Sequence, residues 1–197
     1  MAAPSRSSGR HPAGFTHPVS CRVVLVGMMG SGKTTVGRRL SELTGWPMHD
    51  NDEIVLRLAG ATPRQILAEQ GEPGLRESES QALAEAFGAP LPCIVAAAAG
   101  TILDPDNQRL LGGSDAGVVV WLKAAPGTLA ARAMGAEHRP WLDTGGRAWI
   151  EATTAEREPL YASVADLVLE TDERAADAIA ADLLGRLALV EACREVP

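Results

Sequence analysis

Lysine is nearly absent from this chain: Lys33 and Lys123 stand against 16 arginines in 197 residues. Arginine bias across a chain rich in alanine and glycine reflects genome composition, so each lysine is worth weighing singly. Cysteine is scarce as well. Cys21, Cys93 and Cys193 are odd in number and far apart. They form no Cys-x-x-Cys and no Cys/His pair at ligand spacing, which argues against a disulfide framework or a structural zinc and for a reducing, cytoplasmic setting. No apolar run approaches the roughly 20 residues of a membrane-spanning helix. Basic charge is in deficit, with a net charge of -7. Broad electrostatic binding to nucleic acid or an anionic membrane is therefore disfavoured, and any anion must be held by locally placed cations. Residues 1–20 contain no acid and no apolar h-region. They are expected to be a disordered tail and not a secretory signal.

What remains is a regular alternation. Residues 21–26 (CRVVLV) are apolar and β-branched, the mark of a central strand. Val36, Leu40 and Leu43 recur at helical spacing over 33–44, and Gly45 is placed to close that helix. A short strand is expected over 46–50, then a helix over 51–60 with Asp52 as its N-cap. Thr62, Pro63 and Gly71 bracket a short helix as N-cap, first residue and terminator, and a separate helix follows over 75–87. Strands are expected at 93–97, 116–124 and 166–171, with helices over 104–112, 126–135, 148–165 and 173–195. Residues 136–147, polar and glycine-bearing, read as a loop. Five short strands alternating with helices predict an α/β fold, a three-layer sandwich around a five-stranded parallel sheet. The expected organisation is a single domain over 21–190, a lid within it at about 134–147, and a C-terminal tail over 191–197. Ligands in such sheets gather at the carboxyl ends of the strands.

One strand end carries a phosphate-binding pattern. Gly27-Met28-Met29-Gly30-Ser31-Gly32-Lys33-Thr34 satisfies GxxxxGK[ST], between a clean strand and a clean helix. Gly27, Gly30 and Gly32 let the loop curl so that backbone N–H groups, with that of Ser31, face phosphate oxygens. The helix that follows presents unpaired N–H groups and a positive dipole end. Lys33 supplies a mobile cation, and the Thr34 hydroxyl can ligate Mg²⁺. These residues point to ATP or a related triphosphate.

The ordered set of motifs around this loop resembles the shikimate kinases, P-loop kinases of small molecules with a nucleoside-monophosphate-kinase-like fold. It includes Thr35 and Gly37-Arg38 after the loop and Asp50-Asn51-Asp52 at the second strand end. Gly71-Glu72 follows, with Leu75-Arg76 and Glu79. Then come Arg139-Pro140-Trp141-Leu142 in the lid and Arg157-Glu158-Pro159-Leu160-Tyr161 with Val164-Ala165 before the last strand. The similarity runs over residues 22–185. It implies an ATP- and Mg²⁺-dependent transfer of a phosphoryl group to a hydroxyl of a small acid. Lys33, Asp52 and Arg139 would be catalytic. The nucleotide would be held by the P-loop with Thr35, Arg132 and Arg139, and the metal by Thr34 and Asp50. Asp52, Arg76, Arg157 and the segment Ala98-Ala99-Gly100 would face the acceptor. A guanidinium suits a carboxylate because two N–H bonds form at once. Trp141 and Trp149 are expected to anchor the lid, with His49 as packing and His138 on the lid surface.

The chain departs from that family on the acceptor side. Three consecutive glycines are expected where Ala98, Ala99 and Gly100 stand, and an aromatic where Leu75 stands. If the glycines sat at positive φ, alanine would be strained there by on the order of 1 kcal/mol. Three readings stay open at this level: shikimate as acceptor; a related cyclitol, sugar or sugar acid; and an ATP-binding module without catalysis. A monomer is expected.

Overall fold

The computed structural model describes residues 22–133 and 141–194. Five parallel strands make one sheet: β1 (Arg22–Val26), β2 (Met48–Asp50), β3 (Cys93–Ala96), β4 (Val118–Lys123) and β5 (Leu167–Glu170), in the order β2-β3-β1-β4-β5. β1 is central, pairing Val24 with Val95 on one side and with Val119 on the other. Both faces of β1 are covered, which is why its sequence is apolar throughout and not alternating. Val23 and Leu25 pack with Val36 and Leu40 of α1 (Lys33–Thr44) and Leu183 of α7 (Ala176–Arg194). Val24 and Val26 face the other way. There they join the cluster formed by α2 (Asn51–Ala59), α3 (Pro63–Phe87) and α6 (Trp141–Val164). Two short helices complete the set, α4 (Pro105–Leu111) and α5 (Pro126–Ala133). The sheet with helices on both faces is the expected three-layer arrangement.

Two local expectations are corrected, the cap of α2 and the start of α6. The N-cap of α2 is Asp50, whose carboxylate accepts from the Asp52 amide at 3.0 Å; Asp52 lies inside the first turn. Either carboxylate has the chemistry of a cap, and the strand end decides which one holds the extended backbone a cap needs. The two helices expected over 62–87 are both present within α3 and meet at a kink at Gly71. Thr62 and Gln65 make a full capping box at the start of the first, and the non-helical Gly71 (φ 71°, ψ -171°) ends it, as expected. The stretch 141–147, expected as part of a loop, opens α6, which breaks at Gly146 (φ 51°). α7 (Ala176–Arg194) lies within the helix expected over 173–195. The expected N-terminal tail over 1–20 and residues 134–140 of the lid lie outside the described residues. No helix among the described residues is long and apolar enough to cross a membrane.

Candidate active site

The carboxyl ends of β1, β2 and β3 open onto one cleft of about 830 Å³, including its open mouth. Met29, Lys33 and Thr34 line one end, Asp50 and Asp52 the middle, and Arg76, Arg157 and residues 96–100 the far floor. Site residues expected from sequence on five separate segments are thus brought together.

The loop at the near end is built for an anion. Gly27 sits at φ 140°, and a Cβ there would stand 2.5 Å from the Leu122 carbonyl oxygen, so only glycine fits. Gly30 and Gly32 are also at positive φ. Gly32 is the N-cap of α1 and offers no side-chain bond to its first N–H groups. Those donors therefore face the loop, where a phosphate can take them. The Ser31 hydroxyl is buried with no hydrogen-bond partner in the protein, a second polar group left for a ligand. Lys33 Nζ donates to the carbonyls of Gly27 and Met28 at 2.8 and 3.0 Å, which holds the ammonium over the loop.

Thr34 and Asp50 meet across the gap between α1 and β2. The Thr34 hydroxyl donates to Asp50 Oδ2 at 2.7 Å, while Asp50 Oδ1 caps α2. The pair presents hard oxygen donors beside the phosphate loop, the kind Mg²⁺ takes together with phosphate and water. Among the described residues no group of three His, Cys, Asp or Glu could hold a metal alone. Asn51, between the two aspartates, is fully buried and donates to the Glu79 carbonyl at 3.2 Å, tying α2 to α3.

Arg76 is gripped from both sides: Nη1 donates to Glu79 at 2.6 Å and Nη2 to Glu72 at 2.8 Å. Burial alone would lower the guanidinium pKa, but the two carboxylates outweigh it and hold it above its ordinary value. Glu79 is 6% exposed; burial pushes its carboxyl above the usual range, with Arg76 pulling the other way without reversing the shift. Arg157, also buried, donates from Nη1 to the Ala99 carbonyl at 3.1 Å. The Tyr161 hydroxyl reaches the same oxygen at 2.9 Å. Burial raises the Tyr161 phenol well above its ordinary pKa, so it serves as a neutral donor. The Nε atoms of Arg76 and Arg157 are buried without partners.

The alanines are neither strained nor inert. Neither Ala98 nor Ala99 is at positive φ, so the penalty considered above does not arise. The Ala98 carbonyl is fixed by the Thr101 hydroxyl at 2.7 Å, and the Ala99 carbonyl by Arg157 and Tyr161. Both residues line the cleft. Gly100, the one glycine of the segment, has an ordinary helical conformation (φ -85°). Glycine is required there by contact instead, because a Cβ would fall on the Arg76 guanidinium and the Glu79 carboxylate.

Other expected residues take other places. Arg132 leans on the end of β5, donating to the Thr171 hydroxyl and carbonyl at 3.1 and 2.7 Å, with a longer 3.5 Å contact to the Gly30 carbonyl. It thus braces the phosphate loop against the sheet. Arg139 and His138 lie outside the described residues. Thr35 follows Thr34 in the first turn of α1 and is not part of the cleft lining. Lys123, the second lysine, pairs with Glu158 at 3.5 Å beside the Trp121 ring and has no place in the cleft. His49 is partly buried in β2. Two cleft residues were not singled out from sequence, Arg64 and Leu67. Trp149 was expected to anchor the lid, and it does pack on the core, but it also forms part of the cleft wall.

Comparison with known proteins agrees with this geometry. The family model described as shikimate kinase matches residues 29–188. A shikimate kinase of Symbiobacterium thermophilum is 39% identical over 170 residues, covering 84% of this chain and 95% of its own. One from Marinomonas sp. is 38% identical over 154 residues, 77% of this chain and 84% of its own. Among solved structures, shikimate kinase from Acinetobacter baumannii in complex with shikimate superposes with a TM-score of 0.81 at 31% identity. That match covers 90% of this chain and 96% of the other.

Proposed function

The chain belongs to the shikimate kinase family, and from that premise we propose that it transfers the γ-phosphoryl group of ATP to a ring hydroxyl of shikimate, giving shikimate 3-phosphate. The observation that carries this reading is one cleft with a phosphate loop at one end and two arginines at the other, the buried Arg157 and the partly buried Arg76, bridged by Asp52.

Phosphoryl transfer asks a protein mainly for alignment and for charge at the transferring group. The loop from Gly27 to Thr34 binds the nucleotide phosphates through backbone N–H groups, with the Ser31 hydroxyl as a further donor. Lys33 moves from its loop carbonyls onto the outer phosphates. Thr34 and the Asp50 carboxylate would hold Mg²⁺, directly or through a bound water. When bound, the ion screens the phosphate charges and fixes their geometry. At the other end Arg76 and Arg157 take the acceptor carboxylate. Glu72 and Glu79 hold Arg76 in place, and the Ala99 carbonyl holds Arg157. Asp52 then orients the acceptor hydroxyl and receives its proton as the oxygen attacks phosphorus and the ADP leaves. Arg132 supports the nucleotide side by bracing the loop, and Arg139 is assigned to the departing charge on the strength of its motif. The protein is read as a monomer that works on small molecules in the cytoplasm.

A cyclitol, sugar or sugar acid is the second reading, because Ala98 and Ala99 stand where the family carries glycine and so alter the cleft lining. The two are separated by following ADP release with MgATP and shikimate, quinate, cyclitols and sugar acids, and by identifying the product by mass. Shikimate should give the highest kcat/KM.

A further inference from the structure

The cleft is not polar throughout. Trp149, Leu67, Leu75 and Pro63 line it together with Ala98 and Ala99, as do Asp52, Arg76 and Arg157. Trp149 is partly buried and packs against the core while contributing to the cleft wall. It lies on α6, eight residues before Arg157, so about 12 Å of helix separates a carboxylate-binding guanidinium from an indole. Leu75, next to Arg76, offers no ring. Among the described residues, Trp149 is the one aromatic side chain lining this cleft.

We infer that Trp149 contacts the acceptor and sets its class. It selects ring carboxylates that present an apolar face, over acceptors hydroxylated on every side. The inference rests on the kinase reading above. Its physical basis is that an indole in a cleft wall gains from being covered by apolar surface and loses when it strips water from hydroxyl groups that it cannot pair. Arg76 and Arg157 demand a carboxylate at one end of the acceptor and Asp52 a hydroxyl. Trp149, with the alanine methyls, favours a face bearing neither. The cyclohexene ring of shikimate meets these conditions, quinate with its additional ring hydroxyl less well, and an open-chain sugar acid least.

The test compares the full chain with Trp149→Ala and Trp149→Phe on shikimate, quinate and gluconate, with ATP varied separately. Trp149→Ala should raise the shikimate KM by about tenfold or more and shrink the preference for shikimate over the other two acids. The ATP KM should stay within about twofold, and Trp149→Phe should restore most of the loss. Shikimate titrated without nucleotide should change the tryptophan fluorescence of the wild type, and Trp149→Phe should abolish that change. This arm decides the matter if Trp149→Ala does not fold. A shikimate KM unmoved in a folded Trp149→Ala variant overturns the inference. So does a joint rise of both KM values with no rescue by Phe, or a fluorescence change that persists in Trp149→Phe. A wild type that does not turn over shikimate removes the kinase reading first, and this inference with it.

Discussion

Gly100 lies directly beneath Arg76, so close that any side-chain carbon at position 100 would occupy the space of the guanidinium and of its partner Glu79. The backbone after β3 and the helix carrying Arg76 are thereby locked in register. Gly100→Ala should push Arg76 off its seat and raise the acceptor KM about ten- to hundredfold, equivalent to losing roughly 1.5–3 kcal/mol of charge-assisted hydrogen bonding. The ATP KM should hold. Steady-state kinetics with each substrate varied in turn checks this, and an equal loss on both substrates would point to general damage.

The neighbouring alanines should behave in the opposite way. Because neither Ala98 nor Ala99 is at positive φ, restoring glycine there relieves no strain. Each Ala→Gly change should instead destabilise by about 0.5–1 kcal/mol through added freedom of the unfolded chain. Thermal or denaturant unfolding of the double variant measures this, and a rise in stability would contradict the account.

Glu79 carries a pH signature. Burial raises its carboxyl above the ordinary value of 4.5, so the folded state holds that proton more tightly than the unfolded chain. Its contribution to stability is therefore present at acid pH and is lost as pH rises from the ordinary value through the raised one. Glu79→Gln stays neutral and lacks this dependence. The Tm of the wild type relative to Glu79→Gln should be highest below pH 4.5 and fall as pH rises above it. A gap that widens with rising pH would reverse the sign of the argument.

Asp50 and Asp52 are close in sequence and separate in role. Asp50→Asn weakens the acceptor that Thr34 donates to at 2.7 Å, and should raise the Mg²⁺ concentration needed for half-maximal rate while the acceptor KM moves little. Titrating Mg²⁺ at fixed ATP in wild type and variant gives the comparison.

Much of this site could be read before any coordinates, for identifiable reasons. The phosphate loop is a local device: its glycines, lysine and threonine are consecutive, and the flanking strand and helix carry their own periodicity. Arg76 and Arg157 were legible only through the motifs around them, since a lone arginine on a helix is otherwise a solvated side chain. What sequence missed is tertiary. Nothing in the spacing of α6 distinguishes an indole packed wholly on the core from one that also walls the cleft, as Trp149 does. The cap of α2 went to Asp50 and not Asp52 because the strand end, invisible in composition, sets which residue is extended. At Gly100 it is close contact with Arg76 and Glu79, and not a backbone conformation, that leaves no room for a side chain, and no spacing in the sequence shows that contact.

The most direct measurement is acceptor-stimulated ADP release by the wild type and by Asp52→Asn, with ATP affinity determined for both. The account predicts rapid turnover of shikimate by the wild type, and a kcat lower by about 10²–10⁴-fold in Asp52→Asn, as loss of a positioned base requires. ATP affinity should be unchanged. A wild type that shikimate does not stimulate, or an Asp52→Asn variant that loses ATP binding along with turnover, would contradict it.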